Sequence, residues 1–346
     1  MSAKTKIVVV KMKDILFFDT DEDLKRFATN CQIKGVQYVF FDEPFYQVKE
    51  QKLKKFSDSE IISVFTHSAY IPNEKLDLFK NLKLITTRST GFNHIDLDYC
   101  KKRKISVCNV PNYGAVTVAE FAFGLLLSLT RKIPKASFDM RHGNVFLPNY
   151  TGIDLNGKTI GVIGTGSIGR HIIQLAQGFG MKVIAYDLYQ NPSLKKLYAS
   201  SLNELYQKSD VISLNIPSTP ENRHFLNKDA FSKMKKGVYI INTARGDLID
   251  ASALYQAIKK GIVGGAGLDV LENEDFLLHD EAETSPNLKN SDFLLTSAIN
   301  LKLLQCPNVI ATPHIAFNTH DAIRRINATT CENIRAFLNK KPINLV

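Results

Sequence analysis

The stretch 161–187, "GVIGTGSIGRHIIQLAQGFGMKVIAYD", decides how the chain folds. It opens on an apolar run, passes through Gly164, Gly166 and Gly169 in the spacing G-x-G-x-x-G, and continues at helical periodicity. A second apolar run then closes on Asp187, 18 residues after the last glycine. The glycine spacing alone is a weak pattern. Strand, glycine turn, helix, strand and terminal acid together specify a βαβ unit that binds a dinucleotide. Gly164 permits the tight turn, Gly166 lets backbone approach a pyrophosphate, and Gly169 lets the helix pack closely on the strand. The N–H groups around Ser167 and Ile168 meet the anion at the helix N-terminus. Asp187 accepts hydrogen bonds from ribose hydroxyls and repels a 2′-phosphate, and Leu188 and Tyr189 beside it supply no arginine, so the expected cofactor is NAD rather than NADP. Lys195 and Lys196 read as solvated surface lysines.

Outward from this unit, short β-rich runs alternate with helical patterns along almost the whole chain, the signature of parallel sheets with helical crossovers. The expected strands of the first third are "KIVVVKM" (6–12), "VQYVFF" (36–41), "EIISVF" (60–65), "LKLITT" (82–87) and "ISVCNV" (105–110). In the middle they are "TIGVIG" (159–164), "MKVIAYD" (181–187), "DVISLNI" (210–216), "GVYIINT" (237–243), "GGAGLDV" (264–270) and "NVIATP" (308–313). Pro111 and Gly114 break the alternation before a long apolar helix from Val116 to about Thr130, which marks a domain boundary. Chemistry-bearing residues recur directly after the strands: "RSTG", "PNYG", "GTGSIG", Asp187, Pro217, "TARG", Asp269 and His314. In open α/β sheets ligands bind outside the carboxyl ends of the strands, so these residues should share one rim, or two rims facing across a cleft.

With 346 residues, 44% hydrophobic and 23% charged, the chain has the length and composition of a two-domain globular protein. Its net charge of +10 comes from scattered lysines, which read as solvated faces rather than a nucleic-acid surface. Five cysteines (Cys31, Cys100, Cys108, Cys306, Cys331) without a C-x-x-C pair argue against a disulfide framework and against a zinc site, and imply a reducing, cytoplasmic setting. Lysines interrupt the N-terminus too early for a signal peptide, and the longest apolar run, 121–130, is too short to span a bilayer. The apolarity of the helix at 116–130 suggests a homodimer interface, with burial inside the nucleotide domain as the other explanation.

Hydride exchange with a nicotinamide needs a proton donor, a device that orients the substrate and a group that holds the donor in its charge state. Among eight histidines, His314 alone follows a strand and a proline at the glycine-loop rim. Asp269, Glu272, Glu274 and Asp275 in "GLDVLENED" are the acids available to favour its imidazolium, and spacing does not choose among them. Arg245 in "NTARGDLID" (242–250) offers a planar fork that matches a carboxylate bidentately, or else serves as counter-ion to a neighbouring acid.

Taken in order, "RSTGFNHID", "NVPNYGAVTVAEFAFGLLL", "GTGSIG" with its aspartate, "NTARGDLID", "GLDVLENE" and "TPHIAF" resemble the D-isomer-specific 2-hydroxyacid dehydrogenases over essentially the whole chain. The resemblance implies an α/β protein of two doubly wound, Rossmann-like parallel-sheet domains. Residues 1–112 and 314–346 would form a substrate domain and 113–313 an NAD-binding domain, with the active site in the cleft. It further implies Arg245 as the arginine that binds substrate, Glu274 as the acid paired with the histidine and His314 as the acid/base. Thr90 and Gly91 would offer N–H groups to the substrate carboxylate, and Tyr113 a hydroxyl. Ser167, Ile168, Asp187, Ile216, Pro217, Asn222, Thr243, Ala244 and Asp269 fall on NAD-contact positions. Within the family the chain looks most like the fermentative D-lactate dehydrogenases, which implies reduction of pyruvate. Other readings are an enzyme for 2-hydroxyisocaproate or for glyoxylate and hydroxypyruvate, or an NAD-sensing corepressor. Side-chain selectivity would rest on pocket walls near Phe317 and Tyr70.

Overall fold

The structure is a computed structural model that describes residues 13–31, 33–65, 71–274 and 290–346. The expected strand at 6–12 lies outside these, as do His67, Tyr70, Asp275 and His279. The chain forms two units: one runs up to Tyr113 and takes back Thr319–Val346, and the other is Gly114–Asn318. His314 therefore lies in the second unit.

In the first unit the described elements are β1 (Lys13–Phe17), α1 (Glu22–Asn30), β2 (Val36–Phe40), α2 (Glu50–Leu53), β3 (Ile61–Val64), α3 (Asn73–Leu76), β4 (Leu84–Thr87), α4 (Leu97–Lys102) and β5 (Ser106–Cys108). The strands make one parallel sheet in the order β2-β1-β3-β4-β5. Successive side chains of a strand face opposite ways, and both faces are apolar here. Ile15 and Phe17 join Leu24 and Ala28 of α1 on one face, while Leu16 and Phe18 join Leu53, Leu76 and Phe79 on the other.

The second unit holds α5 (Ala115–Thr130), α6 (Ile133–Arg141), β6 (Thr159–Ile163), α7 (Ser167–Gly178), β7 (Lys182–Tyr186), α8 (Leu202–Lys208), β8 (Val211–Leu214), α9 (Lys228–Ser232), β9 (Val238–Asn242), α10 (Ala251–Lys259), β10 (Val263–Leu268), α11 (Ser291–Leu304) and β11 (Val309–Ala311). Its parallel sheet runs β11-β10-β9-β8-β6-β7. The chain passes from β6 to one neighbour, β7, and returns to the other, β8, which puts the topological switch between β6 and β8. The last helix, α12 (His320–Leu338), packs with β4 and α1 of the first unit.

The structure favours one of the two explanations offered for α5 and overturns the expectation for the cysteines. Helix α5 is apolar because it is buried within its own unit: Ala119, Ala122, Leu125, Leu126 and Leu129 pack with Ile172, Ile173 and Ala176 of α7 and with Ile160, Val162 and Ile241 of the sheet. On α5 Val116 remains exposed, and most of the exposed apolar side chains of this region come later, in Ile133, Phe138, Met140, Val145, Phe146 and Leu147. The cysteines also depart from the reading of an unpaired set, because Cys31 at the end of α1 and Cys331 on α12 are joined by a disulfide. The partners are 300 positions apart and meet only because α12 returns to α1, which residue spacing does not show. Cys100 and Cys108 are buried thiols whose pKa burial pushes up to about 11. Among the described residues, no helix is long and apolar enough to cross a membrane.

Candidate active site

All six strands of the second sheet point the same way, so their carboxyl ends line one edge. From one side to the other that edge carries His314 after β11, Asp269 after β10, Arg245 after β9, Ile216 and Pro217 after β8, Gly164 after β6 and Asp187 after β7. Asp187 and Asp269 stand four strand spacings apart, about 19 Å at the usual separation between neighbouring strands.

The glycine loop is shaped by close approach. Gly164 has φ +92°, and a Cβ on it would lie 2.4 Å from the Asn215 carbonyl oxygen. At Gly169 a Cβ would lie 1.9 Å from the Gly164 carbonyl oxygen, so only glycine lets α7 start this near the loop. Gly166 is the N-cap of α7, Ser167 and Ile168 open the helix, and the space beside Gly166 is open. Asp187 is fixed by the loop it faces: Oδ2 accepts from Thr165 N at 2.6 Å and Thr165 Oγ1 at 2.9 Å, and Oδ1 accepts from Tyr189 N at 2.9 Å. Partial burial alone would raise its pKa, but these hydrogen bonds outweigh burial and hold the carboxyl below its usual range. A fixed negative charge therefore stands at the end of β7. Asn222 closes its own loop, donating to the Pro217 carbonyl at 2.7 Å and accepting from Thr219 N at 2.8 Å. Thr243 Oγ1 is buried and has no hydrogen-bond partner among the described residues, and Ala244 N is taken by Asn242 Oδ1 at 3.0 Å. An open glycine turn at a helix N-terminus, an ionised acid one strand away and an unpartnered hydroxyl fit a dinucleotide.

Towards the other side of the edge the acid left open by spacing is resolved. His314 Nδ1 and Glu274 Oε1 are 2.7 Å apart, and Glu274 Oε2 accepts from Leu271 N at 3.0 Å. With a carboxylate at Nδ1, that nitrogen carries the proton of the hydrogen bond. The ring is partly exposed and Phe317 meets it edge-on. Asp269, by contrast, anchors the histidine's segment. Its carboxylate accepts from Thr312 Oγ1 at 2.6 Å, Ile315 N at 2.9 Å and Ala316 N at 2.8 Å, and its carbonyl accepts from His314 N at 2.9 Å. Burial raises its pKa against the pull of those bonds. His314 needs this hold because its φ of +53° is left-handed, which costs an L-residue roughly 1–2 kcal/mol. Glu272 turns away to Arg223 and His224.

Arg245 projects from the loop after β9, whose backbone Asn242 fixes by donating to the Arg245 carbonyl at 2.8 Å. The guanidinium donates to the Ala244 carbonyl at 2.6 Å and makes no ion pair with a described residue. Sequence reading assigned no role to Thr165, Asn242 and Thr312, which hold the residues it did find; a polar asparagine closing the apolar run at 238–241 is the one signal that was available.

In the first unit, Thr90 and Gly91 follow β4. Thr90 Oγ1 donates to the Val110 carbonyl at 3.0 Å, and Ser89 Oγ to that of Gly91 at 2.6 Å. The preceding Arg88 is buried and donates to the carbonyls of Phe18 and Asp19 and to Ser63 Oγ, tying the loop to the ends of β1 and β3. Burial lowers its pKa to about 10, so it keeps its charge at neutral pH. The Tyr113 carbonyl accepts from Arg325 Nε at 2.6 Å.

Comparison with known proteins agrees with this geometry. Residues 123–316 match the family model described as the D-isomer specific 2-hydroxyacid dehydrogenase, NAD binding domain. The chain is 38% identical to a D-lactate dehydrogenase of Escherichia coli over 303 residues, covering 87% of this chain and 89% of that one. It is 40% identical to an aromatic 2-oxoacid reductase of Clostridium sporogenes over 268 residues, 76% of this chain and 78% of the other. The crystal structure of a D-lactate dehydrogenase from Aquifex aeolicus, complexed with NAD and lactic acid, superimposes with a TM-score of 0.81 at 38% identity, covering 96% of this chain and 98% of that one. A glycine turn that fits a dinucleotide, a histidine–glutamate pair on the same edge and these likenesses place the chain in the D-isomer-specific 2-hydroxyacid dehydrogenases, as an NAD-dependent oxidoreductase with two Rossmann-like parallel-sheet domains.

Proposed function

We propose that this dehydrogenase reduces pyruvate to D-lactate, with Arg245, Glu274 and His314 as its catalytic residues. The observation that carries the reading is Arg245: a guanidinium at the end of β9, on the edge that also bears the His314–Glu274 pair, with a single carbonyl and no described carboxylate as its partner. A cation so placed has its fork available for a substrate carboxylate and the neighbouring carbonyl. When bound, NADH supplies the hydride. His314 delivers the proton to the carbonyl oxygen from Nε2, while Glu274 holds Nδ1–H and stabilises the imidazolium. By family resemblance, Thr90, Gly91 and Tyr113 contact the substrate. By the same resemblance Gly164, Gly166, Ser167, Ile168, Gly169, Asp187, Ile216, Pro217, Asn222, Thr243, Ala244 and Asp269 serve the cofactor. The likeness to two D-lactate dehydrogenases supports pyruvate as substrate, and the Clostridium sporogenes relative makes bulkier 2-oxo acids the comparison that matters.

The test is NADH oxidation by the purified protein over a panel of pyruvate, hydroxypyruvate, glyoxylate, branched and aromatic 2-oxo acids. Pyruvate should have the highest kcat/KM and yield the D isomer; a higher value for another acid replaces the substrate assignment. His314→Ala should lose on the order of 100-fold or more in kcat, the contribution of a positioned proton donor. A loss of only a few fold removes it as the donor. We also assign the protein to the cytoplasm, where the Cys31–Cys331 pair would have to form against the reducing poise, and to a homodimer built on the exposed apolar segment 133–147.

A further inference from the structure

The acid that does not face His314 is the more deeply buried of the two. Glu272 is 5% exposed, and its carboxylate accepts from Arg223 Nη2 at 2.7 Å and from His224 Nε2 at 2.9 and 3.0 Å. Its carbonyl accepts from Asn300 Nδ2 of α11 at 2.6 Å. Removing a carboxylate from water is unfavourable unless cationic and hydrogen-bonding partners meet it, and here both come from the segment at 223–224, while α11 holds the backbone carbonyl. The same turn closes on itself: Glu274 N donates to the Leu271 carbonyl at 3.2 Å, and Leu271 N donates to Glu274 Oε2 at 3.0 Å. Against its outer side lies the residue after Arg245. A Cβ on Gly246 would stand 2.1 Å from the Leu271 carbonyl carbon and 2.4 Å from Glu272 N, so the backbone after Arg245 rests directly on the turn. His224 itself is tied to that loop through its N–H to the Asp247 carbonyl at 2.7 Å, and Asp247 receives Ser218 Oγ at 2.5 Å.

A hydrophobic side chain at 272 would fill the same space without directing the turn. Several directional bonds on one residue instead specify one orientation of the backbone that carries Glu274. We propose that Glu272, held by Arg223, His224 and Asn300, is a positioning residue that sets the turn presenting Glu274 to His314. The proposal rests on the reading of Glu274 and His314 as the proton-transfer pair. Glu272 touches neither substrate nor cofactor in this scheme and acts only through Glu274.

A double-mutant cycle on the full-length enzyme tests it, with the best 2-oxo acid of the panel and saturating NADH. Glu272→Ala should lower kcat by about tenfold with the Kd for NADH unchanged, and Glu272→Gln, which keeps an accepting oxygen for Arg223 and His224, should recover most of that loss. In a Glu274→Gln background, already reduced on the order of 100-fold, Glu272→Ala should remove no more than about twofold further, because both changes act on one interaction. An equal loss in both backgrounds, or a kcat within twofold of the parent for folded Glu272→Ala, overturns the positioning role. If Glu274→Gln itself leaves kcat intact, the assignment of the proton-transfer pair fails instead. Should Glu272→Ala not fold, Arg223→Gln, on a mostly exposed side chain, and Asn300→Ala carry the same cycle, with additivity again the overturning result.

Discussion

Asp187 takes a fixed negative charge to the end of β7, and its two oxygens already accept three hydrogen bonds from the loop around Thr165 and Tyr189. A carboxyl held below its usual range in the folded protein contributes stability that is present above the unfolded value, about pH 4, and lost as pH falls through the folded value. Asp187 therefore stays ionised between about pH 5 and 8, and the discrimination of NADH over NADPH should rise across that window as the 2′-phosphate takes up its second negative charge at about pH 6, read as the ratio of the two kcat/KM values. Asp187→Ala should reduce that discrimination at least tenfold, worth about 1.4 kcal/mol, measured as the ratio of the two kcat/KM values. An unchanged ratio rejects its assignment to the ribose. Asp187, Arg245 and His314 were all legible in the sequence, because each follows a strand in a recognisable pattern. The partner of His314 was named as Glu274 only by the family resemblance, since four acids lie within seven residues and spacing does not choose among them; the hydrogen bonds of the turn at 271–274 turn Glu274 to the histidine and Glu272 away.

At the scale of elements, the described strands from β2 onward follow the apolar runs read from the sequence, whereas β1 (Lys13–Phe17), inside the first sheet, was not read, because its run opens on Lys13 and Asp14. The purpose of α5 was not readable in the same way. Its composition suits an internal helix and an interface helix equally, and packing on α7 and the sheet shows that its buried face is internal. Leu126, 1% exposed, reports this directly. Leu126→Ala should destabilise the protein by about 2–5 kcal/mol in denaturant titration, as a large-to-small change in a core that collapses only partly. A change below about 0.5 kcal/mol would mean that α5 is not packed as described. Gly164 and Gly169 were read correctly for their mechanics because a Rossmann turn leaves no room for a Cβ at either position.

For the whole molecule, each sheet is covered by apolar clusters on both faces, so the 346-residue chain carries a nucleotide fold in its middle and another unit whose sheet comes from residues 13–108 and whose last helix comes from the C-terminal end. The proposed homodimer is best probed where apolar side chains remain exposed. Phe146→Asp together with Leu147→Asp should convert a dimer to a monomer by light scattering, with Leu126→Ala leaving the mass unchanged; a dimer that survives the double change excludes segment 133–147 as the interface. The sequence by itself determined the α/β class, the strand-end placement of the chemical residues and the preference for NAD, because these depend on local periodicity, glycine sterics and the sign of one charge. Residue spacing left open which acid meets the histidine, which the resemblance named, and only the tertiary structure decided which cysteines meet and what α5 packs on, because each depends on segments far apart in the chain being folded together. Arg245 shows the boundary between the two. Its place at the end of a strand was legible, whereas the lack of any described carboxylate beside it is a property of the folded neighbourhood.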